Sequence, residues 1–183
     1  MLTETDSSRK STNNKNDSAP HMNETDLTKV IEAADFIHKL TDSYLLHIGG
    51  SLTADNMDQL NANQHTLLAY RFLLDEVMEG GFIQLIQNGY GPYVLDGPFP
   101  MMMKKVWGLK EFGKFLFDVR REYHLHKEEL EAELSEEEFM ALYEQQDTMN
   151  EMGDEFLDDY QEEITPTIAQ YVKEHEEDFK IED

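Results

Sequence analysis

The stretch EVMEGGFIQLIQNGYG, residues 76–91, interrupts an apolar helical pattern with a pair of glycines and then resumes it. Upstream, over residues 62–79, apolar residues form a broad face, which is typical of a helix buried at the centre of a fold. Gly80 or Gly81 can adopt the left-handed conformation that ends such a helix. A short helix should follow over residues 83–86 and end at the next Asn-Gly pair.

The polar and aromatic residues of this stretch have their own predicted roles. Phe82 follows the glycines and should enter the core. Gln84 and Asn88 are four residues apart, so they share one helical face, and their amides can bond the backbone of nearby loops. With Gly89 ending the short helix, we interpret the motif as a scaffold, and direct contact with a ligand is the alternative.

The N-terminal part divides into a tail, a helix and a loop. Residues 1–23 are rich in Ser, Thr, Asn and Asp and are predicted to be a disordered tail. Apolar residues from Leu27 to Ile48 recur at spacings of three and four, which predicts a helix that ends at Gly49-Gly50. Residues 89–100, broken by Gly and Pro, are predicted to be a loop.

The C-terminal part also has helical periodicity. Ser135 followed by Glu138 is a capping box, so a helix should begin at residue 136, and its apolar spacing continues to Ile164. Thr165-Pro166 then predicts the cap and first turn of a final helix. No segment shows sustained two-residue alternation. We therefore predict an all-α fold, a compact, single-domain helical bundle over residues 24–183.

Composition limits the class of protein. The chain has 183 residues and no cysteine, which excludes disulfides and thiolate metal sites. No apolar run approaches the roughly 20 residues that a membrane-spanning helix needs. We therefore expect a soluble, cytoplasmic protein.

Charge is the most informative property of the chain. The formal net charge is -24. Residues 122–183 carry 23 acidic residues and three lysines, so most of the excess lies in the last third. Such a field repels nucleic acid and anionic membranes, and it attracts basic proteins or cations.

The acidic residues are densest over residues 128–163, with sixteen carboxylates and no Lys or Arg. At about 1.5 Å of rise per helical residue, that is one charge per roughly 3.4 Å, close to the charge density of one DNA strand. Ten like-charged pairs three or four apart within residues 144–163 oppose helix formation by about 2–5 kcal/mol. On a helix, one row of acids would face outward: Glu144, Asp147, Glu151, Asp154, Asp158 and Glu162. We predict that this row binds a basic partner.

The charge is also compatible with two less specific roles. An acidic surface can simply be solvated, and it can hold divalent cations loosely. The segment DEFLDDYQEE, residues 154–163, lacks the central glycine and alternating ligands of a calcium loop. His124 and His126 are two residues apart and point away from each other on a helix, which disfavours a zinc site. We find no set of nucleophile, base and oxyanion donors, so we predict no enzyme, no cofactor and no metal site.

The central motif resembles a family of helical bacterial DNA-mimic proteins. That family carries a Gly-Gly-Phe-x-Gln sequence followed by Asn and Gly, and these residues are present here as Gly80, Gly81, Phe82, Gln84, Asn88 and Gly89. The family commonly has Asn where this chain has Glu79. The resemblance implies an acidic homodimer that presents carboxylates where a DNA-binding protein, such as a transcription factor, expects phosphates. Such a protein would regulate its partner by competing with DNA.

An immunity-type protein that neutralises a basic toxin is the alternative function. It would dock through a mixed apolar and acidic surface, with less dependence on salt and no competition from DNA. Both hypotheses depend on whether the basic residues of the chain neutralise the acidic row. The candidates for such neutralisation are Lys104, Lys105, Lys110, Lys114, Arg120 and Arg121.

Overall fold

The helix α2, Ala62–Gln87, lies at the centre of the core in the computed structural model, which describes residues 24–181. Most of its apolar side chains are buried, with Met78 the main exception at 52% exposed. The buried ones include Leu67, Leu68, Tyr70, Leu73, Val77, Phe82, Ile83, Leu85 and Ile86. The helix is therefore the central element that its broad apolar face predicts.

The all-α prediction is confirmed for the described residues, which contain helices and no strand. The α-helices are α1 (Glu24–His47), α2, α3 (Phe99–Met101), α4 (Lys110–Leu125), α5 (Lys127–Leu130), α6 (Glu136–Gln145), α7 (Asp147–Glu155) and α8 (Gln161–Glu174). Residues in π-helical turns are Pro92–Asp96, Met102–Val106 and Phe156–Tyr160, and residues in 3-10 turns are Met57–Gln59 and Glu176–Phe179. The predicted tail, residues 1–23, lies outside the described residues.

The remaining helices pack against α2 or against a helix that contacts it. Helix α1 lies against α8 and α2, while α7 lies against α2 and α4. Buried hydrogen bonds connect distant parts of the chain: the Tyr44 hydroxyl donates to the carbonyl of Phe179 at 2.8 Å, and the hydroxyls of Tyr70 and Thr165 are 2.8 Å apart. These bonds satisfy polar groups inside an otherwise apolar core.

Trp107 joins the start of α2 to α8. Its ring stacks on Tyr171 with the centroids 4.7 Å apart, and its indole N–H donates to Oδ1 of Asn63 at 3.0 Å. The ring of Phe179 meets it edge-on at 5.6 Å. One buried indole therefore fixes the relative position of three parts of the chain.

The glycine pair bends α2 where the sequence predicts an interruption. Gly81 has φ 70° and ψ −173°, a conformation that residues with a Cβ essentially do not adopt. Beyond the bend, Phe82 is fully buried. Helix α7 passes close to the bend, since a Cβ added to Gly153 would lie 3.6 Å from Cα of Gly81. The bend therefore turns the second half of α2 into the core at the point where α7 packs.

Helix α1 ends at its glycine pair, as predicted. The N–H of Gly49 donates to the carbonyl of Leu46, and that of Gly50 donates to the carbonyl of Leu45 at 2.7 Å. Gly49 has φ 96°. This is the Schellman arrangement, in which a residue in the left-handed region satisfies the last carbonyls of the helix.

The predicted loop at residues 89–100 is instead largely helical, so that prediction is wrong. A π-helical turn begins at Pro92, and α3 follows it. Val94, Leu95 and Phe99 are buried, which gives these turns an apolar side that packs on the core. The prolines do not prevent this because they lie at the starts of the turns, where a backbone N–H has no helical partner.

The predicted helix start at Thr165-Pro166 is also wrong, because both residues lie inside α8. The Thr165 hydroxyl donates back to the carbonyl of Gln161 at 2.6 Å and takes no capping position. Ile164 and Ile168 are buried on either side of the proline. Burial of two such side chains, at about 1.5–3 kcal/mol each, offsets the roughly 3 kcal/mol that proline costs inside a helix.

Gly81→Ala should destabilise the protein, whereas Gly153→Ala should not. At position 81 an alanine would be strained by about 1–3 kcal/mol, and its Cβ would lie 3.2 Å from the Tyr143 hydroxyl. At position 153, inside α7, an added methyl would have ordinary contacts. Better helix propensity should then leave stability unchanged or raise it by up to about 1 kcal/mol. Urea unfolding, monitored by circular dichroism, measures the free energy of unfolding of both variants. An equal loss of stability in the two variants would contradict the role given to Gly81.

Candidate functional site

The acidic segment, defined as residues 128–163, runs from α5 to the start of α8. All sixteen of its carboxylate residues are exposed. They are Glu128, Glu129, Glu131, Glu133, Glu136, Glu137, Glu138, Glu144, Asp147, Glu151, Asp154, Glu155, Asp158, Asp159, Glu162 and Glu163. Most large apolar residues of the same segment are turned inward, since Leu130, Leu142, Met149 and Phe156 are buried, and Met140 is exposed. The segment therefore presents mainly one chemical type of side chain to solvent along its length.

The six acids of the predicted row do not lie on a single uninterrupted helix. Glu144 is on α6, and the other five follow on α7, the π-helical turn and α8. The helical conformation is interrupted at Gln146, a buried residue with φ −103° and ψ 57°. Asn150 stabilises the break, because its side-chain amide donates to the carbonyl of Tyr143 at 2.7 Å. The burial of Gln146 depends on how α6 and α7 pack, so periodicity alone does not reveal this break.

The π-helical turn keeps the later acids on the outer side. Inward-facing residues recur here every four positions, at Phe156, Tyr160, Ile164 and Ile168. On an α-helix, each step of four residues would rotate the side chain by about 40° beyond a full turn. A π-helical turn has i→i+5 bonds and more residues per turn, so it absorbs that extra rotation. Asp154, Asp158 and Glu162 follow the same spacing on the other side and remain exposed.

The row is not neutralised by the described part of the chain. Within residues 24–181, none of the six acids forms an ion pair or a side-chain hydrogen bond. Contacts of the whole acidic segment with basic side chains are limited there to Lys127 with Glu131 at 3.7 Å and His126 with Glu129 at 3.5 Å. Most of the segment's charge therefore remains available to a partner.

The basic residues that could have neutralised the row have closer partners. Lys114 binds Glu111 at 2.8 Å, Arg121 binds Asp118 at 2.8 Å, and Arg120 binds Asp96 at 3.2 Å. The Lys104 ammonium lies over the ring of Phe117, 5.3 Å from its centroid. Lys105 and Lys110 are exposed, and neither pairs with a carboxylate of the acidic segment. Three of these six basic residues therefore pair with carboxylates outside the acidic segment, and none of the six pairs with the acidic row.

The polar side chains of the central motif bind across the bend of α2. Gln84 donates to carboxylate oxygens of Glu76 and Glu79, both at 3.1 Å, and Asn88 donates to the same oxygen of Glu76 at 2.7 Å. The prediction that these amides bond loop backbone is therefore wrong. The bend returns the second half of α2 towards the last turn before it, and this brings the amides to the carboxylates. Glu79, which differs from the family pattern, serves as an acceptor here.

Several of the histidines have structural partners among the described residues. His124 contacts Asp96, and His126 lies 3.4 Å from Glu122. His65 contacts the Tyr93 hydroxyl at 2.8 Å and the carbonyl of Met57 at 2.7 Å. Residues 24–181 contain no group of three His, Asp or Glu side chains arranged to hold a metal ion. Over the same residues, no helix has both the length and the apolar character to cross a membrane.

Helix α6 carries part of the acidic segment but packs weakly on the rest of the protein. Leu142 is its one buried residue, and its contacts with the rest of the described chain are few. The predicted capping box is present: the Ser135 N–H donates to Glu138 at 2.8 Å, and the Glu138 N–H donates to the Ser135 hydroxyl at 3.3 Å. The backbone bond and the hydroxyl bond from Ser135 lower the pKa of Glu138. The cap is thus a main source of order for this helix.

Comparison with known proteins places these features in a family context. Residues 58–175 match the model of the family described as DMP19-like protein. That range contains the central motif and the whole acidic segment. The chain is 33% identical over 102 residues to the DNA mimic protein DMP19 of Neisseria meningitidis serogroup B. The aligned part covers 55% of this chain and 60% of that protein, so the chain spans less than two thirds of its relative.

Replacing Ser135 by Ala should raise the pKa of Glu138 part of the way to its ordinary value, because the hydroxyl bond is lost while the larger contribution, from the backbone N–H of residue 135, remains. Because the folded-state pKa is lowered, the cap stabilises α6 above the unfolded pKa of about 4.3 and loses its effect as pH falls through the folded value. Carboxyl NMR titration measures the shift, and amide exchange in α6 should quicken in the variant at neutral pH. Ser135→Thr keeps the hydroxyl and is the control. An unchanged Glu138 pKa in Ser135→Ala would contradict the role given to the cap.

Proposed function

Because the chain belongs to the DMP19-like protein family, we propose that it is a DNA mimic that binds the DNA-contacting surface of a basic protein. It regulates that protein, such as a transcription factor, by occupying its DNA site. The similar protein of Neisseria meningitidis is named a DNA mimic, and the proposal extends that role to this chain. No catalytic step is part of the proposal.

The observation that carries the proposal is the exposed and largely unpaired charge of the acidic segment. A protein surface that needs only solubility is made with mixed charges, whereas this segment has sixteen exposed carboxylates and no Lys or Arg. The exposed row would act as a set of phosphate surrogates: Glu144, Asp147, Glu151, Asp154, Asp158 and Glu162. A carboxylate, like a phosphate, accepts paired hydrogen bonds from arginine.

Competition follows from the chemistry of the partner's surface. Lysines and arginines that contact a DNA backbone are arranged to meet a dense line of negative charge. A second such line attracts the same surface over long range and excludes DNA once it is bound. Binding also relieves the repulsion between neighbouring carboxylates in the free protein. A homodimer, which the sequence resemblance implies, would present two acidic segments and match longer DNA-binding surfaces.

A six-site variant tests whether the acidic row displaces DNA. Proteins from a lysate of the source organism are loaded on double-stranded DNA-cellulose and eluted with this protein. Wild type should release a bound protein, and the variant that removes six charges should not: Glu144→Gln, Asp147→Asn, Glu151→Gln, Asp154→Asn, Asp158→Asn and Glu162→Gln. The affinity for the released protein should also fall at least about tenfold between about 50 and about 500 mM salt.

The matched control removes six exposed charges outside the acidic segment. Its substitutions are Glu32→Gln, Asp35→Asn, Asp55→Asn, Asp58→Asn, Glu174→Gln and Asp178→Asn, and it should release the same protein as wild type. Equal release by both variants would contradict the role given to the acidic row. Binding that does not respond to salt or to duplex DNA would favour the immunity-type alternative.

A further inference from the structure

Part of the acidic segment borders an apolar groove. The groove lies between α6 and the residues that precede it, from α5 onward, and has a volume of about 560 Å³. We name it the α5–α6 groove. Ala132, Leu134 and Ala141 contribute its apolar floor, and Glu128, Glu129 and Glu138 lie around it. An apolar floor is not needed to imitate phosphates, so this feature adds a second kind of chemistry to the acidic segment.

The three glutamates keep the capacity to accept further hydrogen bonds. Glu128 has no hydrogen bond or ion pair with any of residues 24–181 through its side chain. Glu129 accepts from Gln146 at 3.1 Å, and Glu138 accepts from Ser135. An ionised carboxylate has about four acceptor positions, so one or two internal bonds leave each of them able to bind an arginine or a lysine.

We propose that the α5–α6 groove receives an amphipathic basic helix of the partner, with an apolar side chain on the floor and Arg or Lys at the surrounding glutamates. Charge complementarity selects this occupant. The stem of an arginine can lie along apolar surface while its guanidinium reaches a carboxylate. A helix also places apolar and basic residues at the required spacing of three and four. The inference rests on the proposed function and narrows its partner class.

The mobility expected of α6 suits such a site. Helix α6 has a single buried residue, so small shifts of this helix can widen or narrow the groove at little cost in packing. Partners that share the charge pattern but lack an apolar residue among the basic ones would bind the acidic row alone. The groove would then discriminate among basic proteins that all resemble one another in charge.

Two synthetic helical peptides test the groove with the full chain. Both carry the same arginines and lysines; one has leucines in its apolar stripe, and the other has glutamine at those positions. The affinity of the wild-type protein, measured by fluorescence anisotropy, should be about tenfold higher for the leucine peptide than for the glutamine peptide. A difference of this size is typical of one buried apolar anchor. Ala141→Gln fills the groove without changing charge and should remove the difference. Ala54→Gln, at an exposed position elsewhere, should preserve it.

Equal affinity of the two peptides for wild type would overturn the inference, as would an unchanged preference in Ala141→Gln. If circular dichroism shows that Ala141→Gln is unfolded, Ala132→Gln tests the same apolar floor of the groove. A lower molar mass of Ala141→Gln in light scattering would assign the groove to a second copy of the chain and also overturn it. Displacement of proteins from DNA-cellulose should survive in the groove variants. Loss of this displacement in the six-charge variant tests the proposed function separately. Failure of the groove inference can therefore be distinguished from failure of the proposed function.

Discussion

Repulsion between neighbouring carboxylates is the constraint that the rest of this molecule has to accommodate. Pairs of like charge three or four residues apart cost about 0.2–0.5 kcal/mol each, and the acidic segment has many such pairs on exposed helical faces. The inner faces of the same helices offset the cost. Leu142, Met149 and Phe156 are buried, and each contributes about 1.5–3 kcal/mol. Burial therefore exceeds repulsion, and the helices can hold their charges in place without cations to neutralise them.

The bend of α2 makes that inner packing possible. Gly81 allows the bend through its positive φ, Gly153 of α7 lies beside the bend, and the π-helical turn after α7 keeps the apolar residues directed at the core. The motif amides of Gln84 and Asn88 bind glutamates on the other side of the bend. The central motif and the acidic segment are thus related by packing, because the bend at the motif forms part of the surface against which the acidic helix α7 packs.

Much of the architecture could be predicted from local sequence, because its signals are local. Helical spacing, the glycines after α1 and within α2, and the capping box at Ser135 each depend on a few adjacent residues. The exposure of the six acids also followed from spacing. What escaped prediction depends on tertiary contacts. Buried neighbours keep Pro166 inside a helix and make residues 92–96 and 99–101 helical. The break at Gln146 and the α5–α6 groove require knowledge of how separate helices meet, which periodicity does not contain.

Trp107 is the single tryptophan of the chain, and its position has a practical consequence. It is 6% exposed, stacked on Tyr171 and hydrogen-bonded to Asn63. Its emission therefore reports on the junction between α2 and α8 without any added label. A red shift would signal that α8 has loosened from the core, whereas events confined to the outer carboxylates would leave the spectrum unaltered. Intrinsic fluorescence can thus separate loss of the scaffold from changes at its charged surface.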